Sequence, residues 1–542
     1  MHHLPRRARH YFRAPSLRAR FPSSSAQRSH VLGQKEGIEY EILCYFTQGA
    51  VEMDARTLFK IATLVRVLLL AVGHVQDATL EVPYTDVDYL VFTDASRYVG
   101  EDFGRNSFCT VRTGTNVSPT CFLYRFITRG DSPYERDTYR YSPLVAWTLI
   151  PNVLVHPMIG KCIFAAGDLL AGWLIREVLL PHGYSEDACL FSMSVWLFNP
   201  YTMTISTRGS CESLVSIMML TVLYCLSRGS VCVAAATYGL ATHLRIYPVI
   251  YALPLIIFLG NMYHDELALG QCSKLRLRRT AVASLKEKSR DLELLQGNSV
   301  AKLVLQNLGH LATRERLKFA CVSAGIFLMC GFICYLMYGV EFLHEAFLYH
   351  LSRTDIRHNF SPAFYHAYLD MHDSVGHRLA STVLGKLLTA LPQISVVVVI
   401  GARFARDLPL CLLMQTICFV TFNRVCTAQY FVWYFCLLPL AVPLCFRAAD
   451  ERQNHEKTSV FSRLGSMVKR FIGLRVLSNV VVWQIAQILW LWCAYLLEYG
   501  GYGFFLHSWA ASIVFLVVNA RLVVKTIRSS GYVDRNVKGG VI

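Results

Sequence analysis

Charge is scarce in this sequence. Of its 542 residues only 17% are Asp, Glu, Lys or Arg, while 54% are hydrophobic. A soluble chain carries about 25% charge, so a water-soluble protein of this size is excluded. Acids are the scarcer sign, 37 against 53 Lys and Arg, which leaves a net charge of +16. That excess is spread over segments flanking the apolar runs. It points to loop orientation and anionic headgroups rather than to nucleic acid. The 18 cysteines form no CxxC pair and no Cys/His cluster, which removes the usual zinc and redox motifs; most are expected to be buried small apolar residues. No internal repeat is found, and with it goes the usual mark of an inverted-repeat transporter. Alternation of period two is also missing from the long apolar runs, so they read as helices and not as barrel strands.

Long apolar runs are what the chain does have. Residues 1–52 stand apart from them. Between Met1 and Gln34 there are seven arginines, no acid, and no apolar core of signal-peptide length. Such a stretch cannot bury enough surface to order itself. Its composition also fits a transit peptide, but the first apolar run comes directly after Met53, and the favoured expectation is an upstream extension with the working protein starting at Met53. The domain proper is expected over 53–528, with a tail at 529–542. Spans are expected near 57–75, 160–180, 188–204, 211–227, 230–244, 248–263, 319–340, 385–402, 408–423, 430–446, 477–497 and 503–523, about twelve in all. Pro151 breaks the apolar run 143–155, which reads as interfacial or re-entrant. The fold class is therefore an all-α polytopic membrane protein.

The basic loops fall on one side of this arrangement. Loop 264–318 carries eleven Lys and Arg, and 447–475, 403–407 and the tail are basic as well. That side is expected to be cytoplasmic, with both termini. Every polar, motif-like stretch then lies on the opposite side. A transporter would gather its polar groups near the midplane and would need ionisable residues inside its spans. Here Asp168 and Glu177 are the main acids within a span, so the arrangement suits an enzyme acting on a lipid-borne substrate.

The first non-cytoplasmic loop, about 76–159, holds Asp86 and Asp88 in Pro83-Tyr84-Thr85-Asp86-Val87-Asp88-Tyr89. In an extended segment the two carboxylates share a face. Two like charges that close favour a general base with a shared proton, a divalent ion, or a cationic ligand; a solvated loop is the plain alternative. Arg136 and Arg140 come next, in a segment rich in Arg and Tyr. Arg208 sits in the polar turn Ser206–Ser213 and Arg245 in His243–Pro248. The densest polar run joins His350, Arg353, Asp355, Arg357 and His358 between aromatic residues, a composition suited to a phosphorylated sugar lipid. Asn423 and Gln429 add amides to an aromatic segment, the groups that bind carbohydrate. Gly100 to Ile127 has no apolar period and reads as an insertion, within which Cys109 and Cys121 are candidates to pair and Asn116 opens a sequon. Asn359-Phe360-Ser361 is formally a second sequon, made poor by the adjacent Pro362 and by expected burial.

Seven ordered blocks carry a resemblance. TDVDY at 85–89, VFTDASRYV at 91–99, GDSPYERDTYRYSPL at 130–144, FNPYTMTISTRGSCES at 198–213, HLRIYPVIYALPL at 243–255, YHLSRTDIRHNFSPAFY at 349–365 and FNRVCTAQYFVWYFCLLPL at 422–440 are similar to the PIG-M family, the catalytic subunits of GPI mannosyltransferase I. The resemblance covers nearly all of 54–525. The departures are the extension 1–52, the insertion near 100–127 and the extended basic loops. It implies a multi-spanning enzyme of the endoplasmic reticulum membrane with a C-type glycosyltransferase fold and a luminal active site. It implies transfer of mannose from dolichyl-phosphate-mannose to the glucosamine of glucosaminyl-(acyl)phosphatidylinositol, in an α1,4 linkage with inversion. It also implies a small membrane-anchored stabilising partner of the PIG-X kind. On this reading Asp86 is the base and Asp88 holds the acceptor or a divalent ion. Arg208, Arg245, Arg353 and Arg357 neutralise the departing dolichyl phosphate, and Arg136, Arg140, His350, Asp355, His358, Asn423 and Gln429 complete the donor and acceptor contacts. The competing expectations are another dolichyl-phosphate-mannose user, of N-glycan or later GPI assembly, and a polytopic lipid transporter.

Overall fold

In hydrocarbon the backbone must satisfy its own amides, and the described elements are helices and turns, with no strand among the described residues. The structure, a computed structural model, describes residues 54–111, 131–260, 313–353, 355, 357–372, 383–441, 443 and 474–529. Residues 1–52, the basic loop 264–312, residues 444–473 and the tail from 530 lie outside these, as do Asn116 and Cys121. The chain divides at Thr57. Of the first unit only Asp54–Thr57 are described, where the Thr57 amide donates to Asp54 Oδ1 at 2.8 Å. The second unit, from Leu58 on, holds the other described residues.

Helix α1 spans Ala55–Thr79 and α2 Val87–Val111, so the first residues of the stretch read as an insertion continue α2. Helices α3 (Pro143–Thr148) and α4 (Ile150–Leu154) are short. Ser142 caps the first, with Pro143 at its first position, where a missing amide costs nothing. Then come α5 (Ile159–Leu179), α6 (Glu186–Leu197), α7 (Pro200–Thr207), α8 (Glu212–Ser227), α9 (Val231–Leu244) and α10 (Ala252–Phe258). Helix α11 covers Arg314–Leu343. It breaks its own geometry at Gly339 and runs into a π turn at His344–Leu348, which leads into α12 (Tyr349–Ser352). Helices α13 (Ala363–His372), α14 (Val383–Phe404), α15 (Leu408–Thr421), α16 (Phe431–Phe435), α17 (Leu474–Glu498) and α18 (Phe505–Ser529) complete the set.

Among the described residues, four helices are long and apolar enough to cross a bilayer: Ala55–Thr79, Arg314–Leu348, Ser478–Glu498 and Phe505–Arg528. Other expected spans are shorter or divided, for visible reasons. The run near 188–204 splits because Asn199 caps a new helix at Pro200. The run near 248–263 enters through a 3-10 turn at Tyr247–Tyr251. Helix α5 is long enough, but it carries Lys161, Asp168, Arg176 and Glu177. Along α1 the buried residues Leu58, Ala62 and Arg66 repeat every four positions, while Leu64, Leu68, Val72 and Val75 stay exposed. One stripe faces protein; the other is an apolar surface suited to lipid. Most of the described cysteines are buried.

Candidate active site

Asp86 and Asp88 do come together, but not on an extended strand. Val87 begins α2, and Asp86 is its cap. Asp86 Oδ1 accepts the Asp88 amide at 3.2 Å and its carbonyl accepts the Tyr89 amide at 3.1 Å. Asp is among the favoured capping residues because the first turn of a helix leaves its amides without partners. The two acids therefore occupy the electropositive end of a helix. Gln429, 343 residues further on, donates its amide to Asp86 Oδ2 at 3.1 Å and to Asp88 Oδ2 at 3.2 Å. Tyr141 donates its hydroxyl to Asp88 Oδ2 at 2.8 Å. Both acids are half-buried. Burial, and then the neighbouring charge of Asp88, holds the Asp86 carboxyl above the usual carboxylate range; Arg208 and Gln429 pull the other way. Burial and the Asp88 charge likewise keep the Tyr141 hydroxyl protonated. Among the described residues no group of three His, Cys, Asp or Glu could hold a metal ion, and the acids are tied to neutral donors. That donor set fits a hydrogen-bonded base better than a metal holder.

The turn after α7 grips this loop. Arg208 donates from Nε to the Tyr84 carbonyl at 2.9 Å, and its own carbonyl accepts the Asp86 amide at 3.0 Å. Thr207 and Tyr84 share a hydroxyl–hydroxyl bond of 2.7 Å. The next residue has to be glycine. Gly209 lies at φ 102°, and a Cβ there would stand 2.4 Å from the Tyr89 ring.

A second set of residues adjoins Tyr141. Arg245 lies over the Tyr141 ring, 4.7 Å from its centroid, and bonds Glu212 Oε1 at 2.5 Å. Glu212 is fully buried and accepts the Trp433 indole N–H on its other oxygen at 2.6 Å. Trp433 is stacked between Tyr247 at 4.0 Å and Tyr430 at 4.1 Å. The charged groups are thus linked in series, from Trp433 through Glu212, Arg245 and Tyr141 to Asp88. The π turn brings Glu345 to Arg140 in an ion pair, with Arg140 also 4.6 Å above the Tyr349 ring. His350 Nε2 bonds the Arg140 carbonyl at 2.9 Å. Burial, together with the charges of Arg245, Arg353 and Arg140, pushes His350 down to about 4, so it is neutral near pH 7. Arg353 pairs with Asp355, Nε to Oδ2 at 2.9 Å.

Other expected site residues are placed elsewhere. Arg136 pairs with Asp94 at 3.2 Å in a half-exposed bridge along α2. Arg357 is exposed. His358, at φ 53°, is exposed and held by Glu498, 3.1 Å from its Nδ1. Asn423 bonds the amide of its own neighbour Arg424. Asn359, the sequon residue, is buried. Its amide donates to the carbonyls of Asp355 and Arg424, and its oxygen accepts the amides of Ser361 and Cys426, all within 3.0 Å. It ties the polar run to the turn before Gln429.

Sequence reasoning passed over Tyr141, Glu212, Glu345, Tyr430 and Trp433 as site residues. Two of them carried a signal. Glu212 is an acid at the mouth of an apolar helix, four residues past Arg208, and Trp433 is four residues past Gln429. Nothing in the sequence pairs Glu345 with Arg140.

Residues 205–527 match the family model described as Mannosyltransferase (PIG-M). The chain is similar to the "GPI alpha-1,4-mannosyltransferase I, catalytic subunit" of Danio rerio, 38% identical over 478 residues, which is 88% of this chain and 97% of the relative. It is also similar to "GPI mannosyltransferase 1" of Dictyostelium discoideum, 33% identical over 87% of this chain and 91% of the relative. The protein of the same name from Gibberella zeae is 36% identical over 85% and 91%. A match of this extent in an all-helical membrane chain places the protein: it belongs to the PIG-M mannosyltransferase family.

Proposed function

We propose that the chain is the catalytic subunit of a GPI α1,4-mannosyltransferase, transferring the first mannose from dolichyl-phosphate-mannose to glucosaminyl-(acyl)phosphatidylinositol. The observation that carries the reading is the meeting of Asp86 and Asp88 on Gln429, beside arginines and stacked aromatic rings, in a chain whose relatives bear that name. The acceptor hydroxyl attacks the anomeric carbon. As its bond forms, the bond from that carbon to the phosphate oxygen breaks, and the electron pair leaves with dolichyl phosphate. Asp86, kept basic by its raised proton affinity, takes the hydroxyl proton. Asp88, fixed by Tyr141, orients the acceptor. Arg208, Arg245 and Arg353 face the departing phosphate charge, and the neutral His350 offers a hydrogen bond without adding charge.

The fold that goes with this activity is a C-type glycosyltransferase of about twelve spans in the endoplasmic reticulum membrane, both termini cytoplasmic and the site luminal. A PIG-X-like subunit is its stabilising partner. Complementation of cells lacking this mannosyltransferase, scored by surface GPI-anchored protein, tests the activity. A glycosylation tag near Gly130 is modified and one within 264–318 is not; the reverse pattern overturns the luminal site.

A further inference from the structure

We propose that Lys161 and Asp77 are positioning residues that hold Asp86 in its reactive pose, a role that rests on the reading of Asp86 as the base. Lys161 lies in α5, near the start of a largely apolar helix, and its side chain is only 5% exposed. Burying an ammonium is costly unless it is paired, and an apolar residue would fill the same space without that cost. The charge is used on the segment entering α2. Lys161 Nζ reaches Asp77 Oδ2 at 3.3 Å and Thr85 Oγ1 at 2.5 Å. Asp77, at the end of α1, accepts the Thr85 amide at 2.9 Å and the Thr85 hydroxyl.

Thr85 is thereby held at both its backbone and its side chain by an ion pair, and Asp86 is the next residue. The amide of Asp86 is taken by Arg208. Two successive amides, one on each side of the Thr85 Cα, are pinned by different elements. Lys161 also acts three residues beyond Asp86. Its backbone amide donates to Tyr89 Oη at 3.1 Å, and its ammonium lies 5.7 Å from the Tyr89 ring centre. Tyr89 Oη in turn receives Asn152 at 2.9 Å and donates to the Pro157 carbonyl at 2.6 Å. The capping aspartate thus sits between two residues that one lysine secures, so the backbone that carries its carboxylate to Gln429 is fixed on both sides.

The test is mannose transfer in microsomes carrying the full chain, normalised to protein level. Misplacing a catalytic group by about 1 Å can cost 10²-fold. Lys161→Met and Thr85→Val are expected to lower kcat by about 10- to 100-fold while KM for donor and acceptor stays within about threefold. Thr85→Ser, which keeps the hydroxyl, restores most of the rate. In an Asp86→Asn background, Lys161→Met lowers the residual rate no further, because there is no longer a base to position. If Lys161→Met is not retained in the membrane, the Thr85→Val and Thr85→Ser pair carries the same test. A normal kcat in Thr85→Val or Lys161→Met, with Asp86→Asn inactive, overturns the positioning role and leaves the base standing. A normal rate in Asp86→Asn overturns the base itself.

Discussion

Two carboxylate sites in this protein show opposite solutions to the same problem. Asp168 of α5 lies deep among helices and is 1% exposed, as is its partner Arg66 of α1. Its Oδ2 accepts Arg66 Nε at 2.8 Å and Ser206 Oγ at 3.0 Å, and Arg66 spends its remaining donors on the carbonyls of Ala62 and Leu197. Charge is matched by charge, and the pair is sealed. Asp86 and Asp88 are two like charges, half-buried, held by a neutral amide and a neutral hydroxyl. The first arrangement fixes where α1 sits against α5. The second leaves its negative charge without a direct ion pair in a half-buried place, which suits the proposed base. The two are joined by three consecutive residues: Ser206 bonds Asp168, Thr207 bonds Tyr84, and Arg208 bonds the Asp86 amide. Fold and chemistry thus share one turn.

The contrast breaks most clearly at Asp86. Asp86→Asn keeps the size and much of the hydrogen bonding but cannot take a proton. Removal of a general base costs about 10²–10⁴-fold, so microsomal transfer falls by that factor at normal protein level. Near-normal transfer would remove the pair from the chemistry and turn attention to Asp355. Asp168→Asn or Arg66→Met should act through folding instead. Breaking one half of a buried ion pair costs about 3–5 kcal/mol, so the amount of enzyme in the membrane and its detergent melting temperature drop, while transfer per folded molecule falls far less than in Asp86→Asn. Replacing both partners with leucine recovers much of the amount, since the penalty comes from the orphaned charge.

Smaller effects sharpen the electrostatic half. As the proposed base Asp86 must be ionised, and burial together with the Asp88 charge raises its pKa, so transfer falls with decreasing pH through a value above the usual carboxylate range. Asp88→Asn removes the like charge and moves that acid limb to lower pH. Gln429→Ala removes a hydrogen bond that favours the ionised form and moves the limb to higher pH, with a loss of about tenfold, the size of a bond worth roughly 1–2 kcal/mol. If both variants shift the profile in one direction, the two acids are not coupled as described. Smallest is Arg136→Ala. Its bridge to Asp94 is half-exposed, 38% and 36%, and such pairs contribute about 0.2–1 kcal/mol. Transfer should stay within about threefold, and Asp94→Asn should behave alike.

Legibility tracked the range of the interactions. Asp86, Asp88, Arg245, His350, Arg353 and Gln429 were visible because each is a polar group in a local run that apolar sequence cannot explain. Arg136 was visible for the same reason and lies in a surface bridge, because a cation beside a membrane looks the same in sequence whether it meets substrate or Asp94. Lys161 was hidden among its apolar neighbours, since a lone charge in a span says that it has a partner but not which one, and nothing local pairs Asp77 with Thr85, eight residues on.

By itself the sequence determined the class of molecule, helical and membrane-embedded, because apolar runs in lipid have few backbone solutions. It also determined the family, because seven ordered blocks of polar residues survive as local patterns. Only the tertiary structure decided which of those residues meet. Asp86 caps a helix and Asp88 sits in its first turn, rather than both lining a strand, because Val87 begins a helix and Asp86 satisfies one of its free amides. Their common partner lies 343 residues from Asp86 and 341 from Asp88, and no local pattern encodes a contact that exists only once the helices between have packed.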